Sequence, residues 1–157
     1  MAVLSGQAGP GMAACDVCEA EGLSISPFTA EVQKRIEELL PPLAIRTNPV
    51  DMGPAWYNSE AIKGIVHSVL EDKGIDAILL SIMFASANKS AVGTLANLLL
   101  ERKVKKPILC CFSAPGEIWE EEIRILEESG MPNYPTPERA AKALSNLFRF
   151  SEMVKGF

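Results

Sequence analysis

The chain has 157 residues, 48% of them apolar and 22% charged, with a formal net charge of −5 and a pI near 5.0. That composition fits one globular domain with a core of ordinary size and excludes a disordered chain. The acidity excludes a general nucleic-acid or anionic-membrane surface, because the longest basic run, Arg102-Lys103-Val104-Lys105-Lys106, reads as a solvated helix end. No apolar run approaches the roughly 20 residues of a membrane helix and no basic region precedes the first apolar residues, so the expected location is the cytoplasm.

Strand and helix periodicities alternate along the chain. Ala2-Val3-Leu4 predicts a strand over about 1–5, and Ser5-Gly6-Gln7-Ala8-Gly9-Pro10-Gly11 a glycine-rich turn into a helix from Gly11 to about Glu21. Gly9 suits the N-cap and Pro10 the first helical position, where a missing N–H costs little. A short second strand is expected near Leu23–Ile25, then a helix capped by Thr29 with Val32, Ile36, Leu39 and Leu40 on one face, stopped by Pro41-Pro42. The stretch Asn48-Pro49-Val50-Asp51-Met52-Gly53 reads as irregular. A helix from about Ser59 follows, with Ile62, Ile65, Val66, Val69 and Leu70 as its buried stripe, closed by Lys73-Gly74.

The run from Ala77 to Phe84 is apolar on both sides, as suits the centre of a parallel sheet. A helix from Asn88 to Arg102, a strand from Ile108 to Phe112 and a helix from Gly116 to Glu128 come next. The last of these carries Glu117, Glu120, Glu121 and Glu122 where the helix dipole favours negative charge. A short strand at Asn133-Tyr134 and a final helix, from Thr136-Pro137-Glu138-Arg139 to about Met153, complete the pattern. The expected architecture is α/β in three layers, a flavodoxin-like doubly wound sheet of five parallel strands in the order 2-1-3-4-5.

In that order the ligand crevice lies between the carboxyl ends of strands 1 and 3. Gly6, Gln7, Ala8, Gly9, Gly11 and Met12 form a candidate phosphate-binding loop, because unpaired N–H groups and the positive dipole end at a helix start attract an anion without any cationic side chain. The expected donors are Gly9, Gly11 and Met12, and a carboxylate placed at Gly11 should block an approaching phosphoryl group while leaving the helix intact. The competing reading is a tight turn that needs glycine only for room. Asn48, Asp51, Ser81, Ser113, Gly116 and Glu117 are the residues that could line the same crevice, with turn and capping chemistry as the other reading of Asp51 and Glu117. Lys89 begins the fourth helix within reach of a phosphate, or is simply solvated.

Little here points to side-chain catalysis. His67, the single histidine, falls mid-helix between Val66 and Val69, and neither Ser5 nor Ser113 lies in a G-x-S-x-G elbow. Cys15 and Cys18 form a C-x-x-C inside the first helix without a second pair to complete a zinc set, while Cys110 and Cys111 are strand neighbours facing opposite ways. All four are expected to be reduced, and no metal site is expected.

Taken together, Val3-Leu4-Ser5-Gly6-Gln7-Ala8-Gly9-Pro10-Gly11, Leu40-Pro41-Pro42, Asn48-Pro49-Val50-Asp51, Lys106-Pro107-Ile108-Leu109, Gly116-Glu117, Leu126-Glu127-Glu128-Ser129-Gly130-Met131-Pro132 and Pro135-Thr136-Pro137-Glu138-Arg139-Ala140 resemble the NDP-forming acyl-CoA synthetases. The resemblance is to their second succinyl-CoA-ligase-like flavodoxin domain and covers essentially the whole chain. It implies an enzyme that couples an acyl-CoA thioester, phosphate and a nucleoside diphosphate through a phosphohistidine held by two helix N-termini, one of them opened by Gly6 to Gly11. It also implies ATP or ADP, CoA and Mg as cofactors of the complete enzyme. The Ser-His-Thr-Gly type segment that carries the phosphohistidine is absent, His67 does not match it, and the CoA-binding and ATP-grasp domains lie elsewhere. The expectation is an excised domain or separate subunit, inactive alone. The alternatives are a free-standing module for a phosphorylated ligand such as a flavin nucleotide, with Trp56, Tyr57 and Phe84 placed to cover the ring, and a purely structural subunit.

Overall fold

In the computed structural model, which describes residues 1–83, 86, 89–101, 106–113 and 119–155, the alternation of side chains along the strands sorts the core into two layers. The strands are β1 (Ala2–Ser5), β2 (Val50–Asp51), β3 (Ile78–Met83), β4 (Ile108–Ser113) and β5 (Asn133–Tyr134). They form one sheet in the order β2-β1-β3-β4-β5, parallel throughout. The helices are α1 (Ala8–Ala20), α2 (Ala30–Leu39), α3 (Ser59–Glu71), α4 (Lys89–Glu101), α5 (Glu120–Glu128) and α6 (Pro137–Lys155). Ala2, Leu4, Ile78, Leu80, Ile82, Ile108, Cys110 and Phe112 pack against residues of α2 to α5. Their strand neighbours Val3, Leu79 and Leu109 pack with Ala77 against Ala14 and Cys18 of α1 and Ala140, Ala141 and Leu144 of α6. Burial on both faces explains the unbroken apolar runs of β3 and β4.

The second strand is Val50–Asp51, not Leu23–Ile25. Leu4 pairs with Val50 and Ser5 with Asp51. The segment around 23–25 meets the start of β1 through Met1 N to the Ser24 carbonyl and Ser26 N–H to the Met1 carbonyl, but the Asn48 carboxamide takes the Val3 N–H and the Ser26 carbonyl through which a ladder would continue. Its Nδ2 donates to the Met1 and Ser26 carbonyls, both at 2.8 Å, and its Oδ1 accepts from Val3 N–H at 2.9 Å. Leu23 and Ile25 instead supply apolar side chains to the α1 and α6 layer.

The first helix also starts earlier than expected, at Ala8 with Gln7 as N-cap. Gly11 N–H already reaches Gln7 carbonyl at 3.2 Å, so Pro10 falls in the first turn, where its lack of an N–H leaves no intrahelical bond unmade. Thr29 does hold the N-cap of α2, but its hydroxyl turns away to Asp72. The expected starts of α4 at Asn88 and α5 at Gly116, with Phe84 and Glu117, lie outside the described residues.

At the amino edge of the sheet Asp72, 2% exposed, joins three elements. Its carboxylate accepts from Thr29 N–H at 2.9 Å, the Thr29 hydroxyl at 3.1 Å and Gly74 N–H at 2.8 Å, while its carbonyl accepts from the Lys106 ammonium. Burial lowers the Lys106 pKa, opposed by the charge of Asp72 and its acidic neighbours.

Replacing Asn48 by Ala strands the Val3 N–H and the Ser26 carbonyl, while the Met1 carbonyl keeps the Ser26 N–H, and unmet buried hydrogen bonds cost about 1–3 kcal/mol each when water cannot reach them. With partial access of water we expect Asn48→Ala to lose about 2–4 kcal/mol in urea denaturation, with the melting temperature lower by roughly 5–15 °C. A variant as stable as the parent would show that the clamp is dispensable.

Candidate functional site

The site is built from the end of β1 outward. Ser5 Oγ donates to the Gln7 carbonyl at 2.6 Å and accepts from Gln7 N–H at 3.2 Å, a side-chain turn that folds the backbone over the strand end. Gly6 N–H donates to Ser81 carbonyl at 2.9 Å, and Met52 N–H to Ser5 carbonyl at 2.7 Å, so the loop is tied to both neighbouring strands. With Gly11 N–H committed to Gln7 and Pro10 having none, Ala8 and Gly9 carry the N–H groups at the helix start that meet no acceptor among the described residues. The donor set therefore differs from the expected Gly9, Gly11 and Met12: only Gly9 remains, joined by Ala8. Met12 sits a turn further in with its side chain exposed.

Two other described helix starts are already neutralised. Asn58 Oδ1 caps α3 by accepting from Ala61 N–H at 3.1 Å, with Glu60 in the first turn, and α5 begins with Glu120, Glu121 and Glu122. The start of α1 has neither a side-chain cap nor an acidic residue. Its dipole end is left facing outward, where an anion gains typically 0.3–1 kcal/mol.

The glycines divide by what surrounds them. A Cβ on Gly9 would meet nothing within 4 Å, whereas one on Gly11 would lie 3.0 Å from Ser5 Cβ. A carboxylate at Gly11 therefore crowds the strand end, which corrects the expectation that it leaves the fold intact. A Cβ on Gly53 would lie 3.0 Å from Gly6 carbonyl and 3.0 Å from Asp51 Oδ1, so the loops after β1 and β2 are in van der Waals contact.

Of the lining residues, Asp51 stands beside Ser5 and its Oδ1 accepts from Gly53 N–H at 2.9 Å, forming the turn that brings Gly53 against Gly6. Ser81 is buried beside Ser5 in β3. Ser113 ends β4 opposite Met83. Asn48 is not part of this edge, since its side chain is spent at the amino end of β1. Gly116 and Glu117 lie outside the described residues.

Trp56 is 3% exposed, and Tyr57 beside it is 72% exposed. The Trp56 Nε1–H donates to Met83 carbonyl at 2.8 Å, and its ring lies 3.4 Å from where a Gly6 Cβ would stand. Trp56 is thus a floor between the ends of β1 and β3, not cover for a bound ring. The legible signal was a large aromatic just after the Gly53-Pro54 turn that leaves β2. Lys89 is held 3.0 Å from Glu122 and 4.7 Å over the Trp119 ring, so its charge is already engaged between α4 and α5.

His67 is exposed on α3. All four cysteines are free thiols, and burial pushes Cys15 up to about 11, Cys18 to about 12 and Cys111 to about 11, with Cys110 raised well above its ordinary value. Among the described residues no three His, Cys, Asp or Glu side chains gather as a metal-ligand set. A cavity of about 420 Å³ lined by Met1, Leu23, Asp76, Phe148 and Arg149 opens at the opposite, amino edge of the sheet. No described helix is long and apolar enough to cross a membrane.

The profile of a family described as the Ligase-CoA domain matches residues 1–155. The chain is 34% identical over 154 residues to the ADP-forming acetate–CoA ligase I of Archaeoglobus fulgidus, an alignment that covers 98% of this chain and 21% of that protein. It is 28% identical to the alpha subunit of the ADP-forming acetate–CoA ligase II of Pyrococcus furiosus, covering 99% of this chain and 35% of the subunit. A solved structure from Pyrococcus horikoshii superposes with a TM-score of 0.83 at 25% identity, over 92% of this chain and 34% of that one. The dinucleotide-forming acetyl-coenzyme A synthetase 1 of Candidatus Korarchaeum cryptofilum shares the fold at a TM-score of 0.83 and 22% identity, over 96% of this chain and 33% of that one. The chain spans about a fifth to a third of the length of these curated relatives.

Two outcomes follow from the site's geometry. Gly9→Ala should raise stability by up to about 1 kcal/mol through helix propensity, while Gly11→Ala should lower it by about 1–2 kcal/mol through overpacking on Ser5, both read from urea midpoints. At pH 8 a thiol of pKa about 11 is roughly one part in a thousand thiolate, so iodoacetamide should modify Cys15 on the order of ten- to a hundredfold more slowly than free cysteine. Labelling should accelerate as the pH approaches 11, because only the thiolate attacks; fast labelling at pH 8 would contradict the burial of this thiol.

Proposed function

This chain belongs to the Ligase-CoA domain family, and from that membership we propose that it is the ligase domain of an NDP-forming acyl-CoA synthetase, which converts acyl-CoA, NDP and phosphate into carboxylic acid, CoA and NTP. Its part in that reaction is to receive, at the start of α1, the phosphohistidine borne by a partner domain. CoA, ATP or ADP, and Mg are held by that partner and by an ATP-grasp domain, in the same polypeptide or in a separate subunit.

The observation that carries this reading is the start of α1, which has no side-chain cap and no acidic residue and whose Ala8 and Gly9 N–H groups meet no acceptor among the described residues, beside a loop fixed at both flanks. The chemistry asked of it is electrostatic. A phosphoryl group on an imidazole keeps its negative oxygens through each transfer, and two oriented N–H groups with a dipole end stabilise them without supplying a proton or a nucleophile. Modest attraction suits the task, because the group must also leave. An arginine that gripped donor and transition state alike would strengthen binding without accelerating transfer.

The isolated chain should show no synthetase turnover with ATP, CoA and short carboxylic acids, and turnover above background would refute the division of labour. In the enzyme assembled with its partner domains, Gly9→Asp places a carboxylate in open space beside the donors. Two charges about 4 Å apart repel by about 1 kcal/mol in water and about 4 kcal/mol at an effective dielectric of 20. Histidine phosphorylation from ATP should therefore fall by between about fivefold and a thousandfold, with an unchanged melting temperature and near-normal rates for Gly9→Ala. Normal phosphorylation in a folded Gly9→Asp enzyme would reduce the glycine loop to a turn.

A further inference from the structure

We propose that Trp56 decides what this site accepts: its indole fills the space between the ends of β1 and β3 and props the Gly6 peptide, so that the phosphoryl head of the phosphohistidine is received at the loop while no planar ring, its own imidazole included, enters the gap. The inference rests on the phosphoryl reading of the loop and narrows its ligand class. In open parallel sheets ligand rings settle outside the carboxyl ends of the strands where the strand order reverses, which here is the gap between β1 and β3.

Trp56 occupies that gap from below. The 53–55 turn delivers it from the end of β2, with Trp56 N–H donating to Gly53 carbonyl at 3.2 Å. One edge of the indole is fixed to β3 through Nε1–H and the Met83 carbonyl, while Cε2 and Cδ2 lie 3.4 and 3.5 Å from the Cβ position of Gly6 at the end of β1. Met83 N lies 3.4 Å from the same point, and Gly53 packs against the Gly6 carbonyl. A nucleobase or flavin entering here must expel a buried indole and break its hydrogen bond. An oxyanion is far smaller than a ring and takes its hydrogen bonds from the Ala8 and Gly9 N–H groups at the start of α1. Trp56 acts through Gly6 and is a positioning residue.

Inorganic phosphate and adenosine monophosphate, titrated into the ¹⁵N-labelled chain, separate these cases. Both should shift the Ala8 and Gly9 amides with dissociation constants within about threefold, leaving the Trp56 indole N–H signal in place. Adenosine monophosphate binding about tenfold or more tightly than phosphate, with the indole signal moving, would overturn the proposal. If phosphate moves neither amide, the phosphoryl reading fails, and the space-filling role of Trp56 is then judged by substitution.

Trp56→Gly opens the space, so millimolar indole should raise the melting temperature of that variant and leave the parent unchanged, as a dry apolar cavity takes up a fitting ring. Equal shifts in both, or none in the folded variant, would overturn the proposal. Should Trp56→Gly not fold, Trp56→Phe keeps a ring but loses the indole donor. Its Gly6 amide signal should move and its phosphate affinity weaken, and a folded Phe variant unchanged in both respects would count against a positioning role.

Discussion

The hydrogen bond from Gly6 N–H to the Ser81 carbonyl is the constraint on which the carboxyl edge depends. It extends the β1 and β3 pairing past the last strand residue, and Met52 N–H to Ser5 carbonyl does the same toward β2. A backbone held on both sides cannot drift, so the turn made by Ser5 and Gln7 launches α1 in a fixed direction. Backbones come closest where this tie draws them together: a Cβ on Gly53 would press on the Gly6 carbonyl and one on Gly11 on Ser5, while one on Gly6 would reach ordinary contact with Met83 and Trp56. Gly9 meets no such neighbour, and the helix starts there with open donors.

The two ends of the sheet carry different work. At the amino edge, side chains close several backbone groups: Asn48 ties Met1, Val3 and Ser26, and Asp72 ties Thr29, Gly74 and Lys106. Apart from the local bond to Gly74, these join segments 22 to 47 residues apart in sequence and fix where long connections return to the sheet. At the carboxyl edge backbone ties share the work with the side-chain turns of Ser5 and Asp51 and the Trp56 indole, and the N–H groups of Ala8 and Gly9 meet no acceptor among the described residues. Rigid scaffold at one end and unspent donors at the other is the division expected of a parallel sheet whose site lies beyond its strand ends.

Much of this was legible in the amino-acid sequence. The helices α2, α3 and α6 carry their apolar positions on one face, and β3 and β4 are short unbroken apolar runs, so their type and order follow from burial alone. The glycine loop between β1 and α1 was visible as composition, and the succession of motifs pointed to the Ligase-CoA family that the profile match bears out. What misled was local. Leu23-Ser24-Ile25 has strand-like alternation and Val50-Asp51 is only a two-residue ladder, too short for periodicity to register. Gly9-Pro10 looks like an N-cap and first position, but a helix that starts two residues earlier satisfies Pro10 equally well.

The sequence by itself determined the class of fold, the apolar central strands and the place of the glycine loop, because these follow from which residues must leave water and which backbone angles glycine and proline permit; the strand order followed from the rules of doubly wound sheets, and the residues of β2 did not. Only the tertiary structure decided that Asn48 is a clamp and not a site residue, that Ala8 and Gly9 are the open donors, that Gly9 and not Gly11 has room, and that Trp56 fills the gap between β1 and β3. Each of those depends on a partner that is remote in sequence or across the sheet. A hydrogen bond or a 3 Å contact of that kind leaves no periodic trace along the chain.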